Sequence, residues 1–428
     1  MSELLRNLLK NRSDAGAPRG IYSVCSSHPW ALSAALRQAA KDGSPVLIEA
    51  TSNQVNQEGG YTGMRPADFR QLVFNLAKAE GISEDRIILG GDHLGPNPWR
   101  KKNAAEAMVL AKTMIHEYAA AGFSKIHLDA SMACAGDPEA LPVETVAERS
   151  AQLCLVAEEA AAVTKVHPVY VIGTEVPTPG GATESISGVH ATAASDAEQT
   201  YEVHRRVFAK YGLQDAWSRV VAMVVQPGVE FNHDSVSHYD ASKARELSSW
   251  IDRRRPLIFE AHSTDYQLPE AYRELVRDGF AILKVGPAVT FAMRETIFAL
   301  ARIEEELIPQ RKRSHLRDVV ESVMLASPKD WEGHYHGSPE QQRILRTYSY
   351  SDRIRYYWNL PAISGAVEMM IRNLETLEIP ETLLSAHLPL EYEAIRAGAL
   401  RSDPTEMVLD ASRRVLEPYA RACFGLPL

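Results

Sequence analysis

The chain has 428 residues, of which 45% are hydrophobic and 24% charged, the balance of a soluble globular protein. That length exceeds most single cores, so a large domain plus an appendage, or two domains, is expected. A formal net charge of −9 argues against non-specific nucleic-acid binding, which needs a basic face, but leaves room for a sugar phosphate in a local pocket.

Cys25, Cys134, Cys154 and Cys423 are scattered without C-x-x-C spacing. Neither a disulfide framework nor a cysteine-rich zinc module is expected, and a reducing cytoplasm is the natural compartment. The opening "MSELLRNLLKNRSDAG" lacks the apolar core and cleavage site of a signal peptide. With no run of about 18 apolar residues, no membrane span is predicted.

In chain order, short β-branched runs recur: "GIYSVCSS" (20–27), "PVLIEATS" (45–52), "RIILGGDH" (86–93) and "KIHLDASM" (125–132). Four more follow: "PVYVIGTE" (168–175), "RVVAMVVQ" (219–226), "PLIFEAHS" (256–263) and "AILKVGPA" (281–288). Near-continuous apolar runs suit a parallel sheet covered on both faces. The segments between them have helical spacing, as in "MRPADFRQLVFNLAKAEG", where Leu72, Val73, Leu76 and Ala77 share a face and a Gly ends the run. This alternation predicts a (β/α)8 TIM barrel over residues 1–310. A doubly wound open sheet is the alternative, but no G-x-G-x-x-G follows the first strand. From the charged junction "PQRKRSHLRD" the strand rhythm stops, and 311–428 reads as a helical C-terminal extension. Within it, "SYSDRIRYYWNLPAISGAVEMMIRNLETL" suggests two helices broken near Pro361.

In such barrels the active site lies at the C-terminal strand ends. Those positions here are Glu49 and Asn53, Asp92 and His93, Asp129 and Ser131, Glu175, Gln226, Glu260 with His262, and Lys284. Any one of them reads equally well as a loop cap. Polar groups at seven of the eight ends are costly to bury unless they bind a metal, a polar substrate or each other.

"GGDHLGPNPW", "IHLDASMACAGD", "GTEVPTPGGATES", "LIFEAHSTDYQ" and "SDRIRYYW" together resemble the GatZ/KbaZ family. Its members are the large, so-called non-catalytic subunits associated with class II tagatose-1,6-bisphosphate aldolase. The resemblance covers essentially the whole chain. It implies carbohydrate metabolism of the tagatose and galactitol type, a class II aldolase catalytic subunit as partner, and an oligomer. Some members carry the name tagatose-6-phosphate kinase, and some relatives act as metal-dependent ketose 4-epimerases. More distantly the barrel is similar to the zinc-dependent class II aldolases.

In those aldolases an Asp-His pair after the third strand supplies a proton-transfer carboxylate and a zinc ligand. The resemblance thus implies Asp92 as acid/base and His93 as metal ligand, with Glu175 a second catalytic carboxylate. The positions of the other two zinc histidines read Gln226 and Glu260, with His262 two residues on. An oxygen-rich set of this kind tolerates Mg²⁺ or Mn²⁺ as well as Zn²⁺. Glu49, Asn53, Asp129, Ser131, Ser263, Lys284 and Arg353 are the expected contacts to a ketose or ketose phosphate.

"TPGGATES" (178–185) and "HSTD" (262–265) are candidate phosphate cradles, since successive backbone N–H groups bind anions. "WEGHYHG" (331–337) has His-x-His spacing, Arg353 and Arg355 suit an anionic ligand, and His28 follows the first strand. A kinase reading lacks a G-x-x-x-x-G-K-[ST] loop. Three functions are therefore weighed: an aldolase-supporting subunit, a metal-assisted ketose epimerase or aldolase, and a sugar-phosphate kinase.

Overall fold

The computed structural model describes residues 2–10, 19–174 and 189–426. Ten strands are present among them: β1 (Ile21–Cys25), β2 (Val46–Thr51), β3 (Ile87–Leu94), β4 (Lys125–Leu128), β5 (Val169–Gly173), β6 (Val220–Val225), β7 (Glu230–Phe231), β8 (Val236–Ser237), β9 (Ile258–Ala261) and β10 (Phe280–Val285). β1–β6, β9 and β10 pair in parallel, and β10 closes on β1 to make an eight-stranded barrel. β7 and β8 form a small antiparallel hairpin between β6 and β9. All eight predicted runs are barrel strands.

Helices cover the outside, among them Pro29–Asp42, Pro66–Ala79, Ala104–Ala120 and Val143–Thr164. Asn103 caps the third of these by accepting the Glu106 N–H, which starts the helix where the polar run ends. Outward strand residues such as Val24, Ile48, Leu89 and Ile126 share one buried core with these helices.

Side chains of alternate residues point inward. Low in the barrel they are apolar: Ile21, Leu47, Ile88, Val169, Ala222, Ile258 and Ile282 pack on Leu5, Leu8 and Leu9 of an N-terminal helix, Ser2–Lys10, that plugs the floor. Higher up, beside Val171 and Val224, the same faces carry Ser23, Glu49, Gly90, Lys125, His127, Glu260 and Lys284. The interior turns from oil to charge on the way to the mouth.

The expected boundary at 310 falls where a second core begins, and one helix from beyond it packs back on the barrel. Residues from 316 to 388 build a second cluster on the helix Pro287–Leu307, with Trp331, Tyr335, Tyr357 and Trp358 inside it. The last helix, Pro404–Phe424, then returns to the barrel. Its Leu416, Tyr419, Ala420 and Cys423 belong to the barrel core, and the Cys423 carbonyl accepts the Arg19 N–H at 2.7 Å. The two helices expected around Pro361 are one: Pro361–Glu375 is helical, but Arg353–Tyr356 is only a short 3₁₀ turn.

Candidate active site at the barrel mouth

Asp92 and His93 sit where β3 leaves its ladder, and His93 adopts a left-handed backbone with φ of 49°. The register of β3 against β4 shifts between Gly91 and Leu94, so the strand kinks and turns His93 into the mouth. His93 Nδ1 meets Asp129 Oδ2 at 2.9 Å, and Asp129 is itself held by the Ser131 hydroxyl at 2.6 Å and the Ser131 N–H. His262 Nε2 meets Glu260 Oε1 at 3.0 Å. Each imidazole therefore has a carboxylate on its outer nitrogen. Their inner nitrogens, His93 Nε2 and His262 Nδ1, face each other at 3.2 Å.

Beneath the histidines lies a network of buried ions. Lys125 Nζ is 2.6 Å from Glu49 Oε1 and 2.7 Å from Glu260 Oε2. Lys284 Nζ contacts Glu49 and lies 3.0 Å from Asp92 Oδ1 and 3.4 Å from Glu260 Oε1. The Ser23 hydroxyl donates to Glu49 at 2.7 Å. Gly90 leaves the room for Glu49, since a methyl there would overlap its carboxylate.

Burial opposes ionisation of Asp92, but His93, Lys284 and His262, with the His127 contact at 3.0 Å, outweigh it and hold the carboxyl well below its usual range. Glu260 is likewise held ionised against burial by Lys125, Lys284 and His262. Burial disfavours the charged form of His93, yet Asp92 and Asp129 raise its proton affinity overall. His262 is pushed down to about 4 by burial. Lys284, despite burial, is held protonated by Asp92, Cys25, Glu260 and Glu49.

A cavity above this network is lined by Asn53, Tyr61, Asp92, His93, His262, Ser263, Lys284 and Arg355, among others. The predicted residues Glu49, Asn53, Asp92, His93, Asp129, Ser131, Glu260, His262, Ser263 and Lys284 therefore gather at one end of the barrel. Gln226 does not join them. Its Oε1 accepts the N–H groups of Gly228 and Val229 at 2.8 and 3.0 Å, so it closes the loop after β6 and is no ligand to the centre. Arg353 is also turned away, donating to the Asp330 carbonyl, and Arg355 takes the place at the cavity. Glu175 and the "TPGGATES" stretch lie outside the described residues. His28 caps the helix at Pro29 through Nδ1. The "WEGHYHG" stretch is tied by its His334 carbonyl to His233, and neither His334 nor His336 lines the cavity.

Lys125 and His127 were missed by the strand-end argument. Both alternate with Asp129 along β4, so the period-two spacing Lys-x-His-x-Asp already puts all three on the inner face. His127 Nε2 is buried with no hydrogen-bond partner among the described residues. Asp92, His127, Glu260 and His262 offer donor atoms that all lie within 4.8 Å of one another.

Residues 5–424 match the family described as D-tagatose-1,6-bisphosphate aldolase subunit GatZ/KbaZ-like. The chain belongs to this family. It is 48% identical to a solved structure from Sinorhizobium meliloti 1021 named as a probable tagatose 6 phosphate kinase, with a TM-score of 0.87 over 94% of this chain and 100% of that one. A fructose-bisphosphate aldolase from Campylobacter jejuni matches at 17% identity and a TM-score of 0.44, over 88% of this chain and 93% of that one. The YdjI aldolase from Escherichia coli K12 matches at 12% and 0.44, over 85% and 96%. Among the described residues, no helix of this GatZ/KbaZ-like chain is long and apolar enough to cross a membrane.

Proposed function

We propose that this GatZ/KbaZ-like subunit serves tagatose-phosphate metabolism beside a class II aldolase partner, and that its own mouth performs metal-assisted proton transfer on a ketose or ketose phosphate. The observation that carries the reading is the facing pair of imidazoles. With Asp129 and Glu260 each accepting an N–H from an outer nitrogen, the lone pairs of His93 Nε2 and His262 Nδ1 point at each other across 3.2 Å. Two lone pairs at that distance repel unless a proton or a metal cation lies between them. Two nitrogens sharing one cation at about 2.1 Å would lie about 3.4 Å apart, so the spacing fits. Carboxylates behind ligating histidines are the usual support of such sites. Four carboxylates (Glu49, Asp92, Asp129, Glu260) surround two ammoniums, Lys125 and Lys284, and the His93 imidazole, an excess of negative charge that suits a further cation.

His93 and His262 would hold the cation through these two nitrogens. A divalent cation there would polarise the ketose carbonyl as a Lewis acid. Asp92, kept ionised and lining the cavity, accepts the proton from the substrate carbon or hydroxyl. Lys284 fixes that carboxylate through Oδ1, leaving Oδ2 toward His93 Nε2 at 3.7 Å. Being held charged, Lys284 is a counter-cation and not a Schiff-base nucleophile, which needs a depressed proton affinity.

The test combines metal content after growth in Zn²⁺, Mn²⁺ or Mg²⁺ with an activity screen on ketoses and ketose phosphates, run with and without an aldolase partner. Uptake of about one divalent cation per chain, lost in His93→Ala, and turnover abolished in a folded Asp92→Asn variant are expected, because an amide cannot accept the proton. A metal-free chain whose Asp92→Asn variant supports a partner's aldolase unchanged would leave only the supporting role. ATP-dependent phosphorylation of a sugar phosphate would overturn the reading.

A further inference from the structure

Arg355 comes from the C-terminal region, yet it lines both the central cavity and a smaller hollow beside it formed by Ser26, Ser27, His28 and Asn359. It is held in place from behind. Its Nη1 donates to the carbonyls of Ser351 and Asp352, its Nη2 donates to the Tyr356 hydroxyl at 2.9 Å, and its guanidinium stacks 4.5 Å from the Tyr356 ring. The Tyr356 ring meets Tyr61 edge to face at 4.8 Å. The turn is pinned to the barrel because Asp352 accepts from Arg294 at 2.8 Å and from Thr290 at 2.6 Å. No carboxylate among the described residues pairs with Arg355, although every contact that would orient one is made. A guanidinium fixed at a cavity wall without a counter-ion is a site for an anion.

A second anion position exists in the fold, and it is already filled. Barrels of this kind receive phosphate at the helix N-terminus after the last strand, where backbone N–H groups are free. Here Asp265 Oδ1 accepts the Gly286 N–H at 3.0 Å and the Ala288 N–H at 2.8 Å, at the start of the helix Pro287–Leu307. The "HSTD" stretch, read from sequence as a phosphate cradle, instead supplies a buried carboxylate where the phosphate would sit.

We propose that Arg355, flanked by Tyr61 and Tyr356, is a phosphate subsite for the far end of a sugar monophosphate, and that Asp265 occupies the second position so that a bisphosphate gains nothing there. The sugar part of this ligand rests on the ketose reading above; the anion subsite does not.

The test is calorimetric titration of the full chain with inorganic phosphate, D-tagatose, D-tagatose 6-phosphate and D-tagatose 1,6-bisphosphate. The monophosphate should bind at least about tenfold tighter than the free sugar, the bisphosphate no tighter than the monophosphate, and inorganic phosphate should compete. Arg355→Gln should erase the phosphate advantage and leave free-sugar affinity unchanged, while Arg355→Lys keeps part of it. Asp265→Ser, which frees the two N–H groups, should make the bisphosphate bind about tenfold tighter than the monophosphate. Thermal melting confirms that each variant is folded, and the wild-type comparison of the four ligands stands without any variant. A wild-type chain that prefers the bisphosphate more than tenfold, or a folded Arg355→Gln chain that keeps the phosphate advantage, would overturn the proposal. A chain that binds inorganic phosphate through Arg355 but no ketose would keep this inference and sink the ketose reading.

Discussion

Glu49 owes its place to a residue that has no side chain. It stands on β2 opposite Gly90 of β3, and its carboxylate spreads into the space a Cβ would take. From there it neutralises Lys125 and Lys284, both buried and both one pleat below the mouth. Gly90→Ala should push that carboxylate off both ammoniums. Breaking a buried pair while leaving its partner charged costs about 3–5 kcal/mol, so denaturant unfolding should show a loss of that order. A loss under about 0.5 kcal/mol, as for an ordinary surface change, would show that Glu49 is not what holds the two lysines.

Two elements carry their consequences beyond their own residues. The 3₁₀ turn Arg353–Tyr356 is placed by Asp352, which enters a left-handed backbone at φ 43° so that its carboxylate reaches Arg294 and Thr290. Asp352→Ala leaves Arg294, fully buried, without its anion. It should cost about 3–5 kcal/mol and displace Arg355 from the cavity, so phosphate affinity falls although no ligand contact was touched. Stability lost with phosphate affinity intact would separate the turn from the subsite.

The helix Ala194–Lys210 buries His204 completely. Its Nδ1 donates to the Thr200 carbonyl at 2.8 Å and its Nε2 has no partner among the described residues. Burial pushes its pKa down to about 4 from 6.5. The unfolded chain therefore binds the proton more tightly, so the neutral form's contribution is complete above about 6.5 and is lost as pH falls toward about 4. The stability difference between the wild type and His204→Phe should move by about 3 kcal/mol across that window, in the variant's favour at low pH. A difference that stays flat with pH would mean that His204 is not buried as a neutral ring.

At the scale of the molecule, both ends of the described chain belong to the barrel. The helix Ser2–Lys10 closes the floor, and the helix Pro404–Phe424 lies between the helices Pro29–Asp42 and Pro269–Arg277, against Tyr22 and Tyr272. Tyr419 also donates to the Thr264 carbonyl at 2.9 Å, behind the loop that carries His262 and Ser263. Deleting residues 404–428 should therefore remove part of the barrel core and not merely an extension. The shortened chain should show no cooperative thermal transition by circular dichroism. A stable, cooperatively folding product ending at 403 would show that the last helix is dispensable to the barrel.

His93, out of phase with Asp92, needed the kink in β3 to reach the mouth, but the amino-acid sequence alone determined the eight strands, their parallel order and the place where Asp92, Asp129, Glu260 and His262 meet. It could do so because these features are local: backbone geometry sets periods of 2 and 3.6, and in parallel strands parity decides which side chain faces inward. Gln226 shows where parity stops. It has the inward spacing of β6, but the loop beyond offered two N–H groups nearer than the centre. Choosing between Arg353 and Arg355, two residues apart, needed the turn that Asp352 pins to Arg294 across 58 positions of chain. Pairing Lys125 with Glu49, and Lys284 with Asp92, needed the closure of β10 on β1 and the register of every strand between. Which charge neutralises which is decided by distances across the barrel, and those are the sum of many long-range contacts that no short stretch contains.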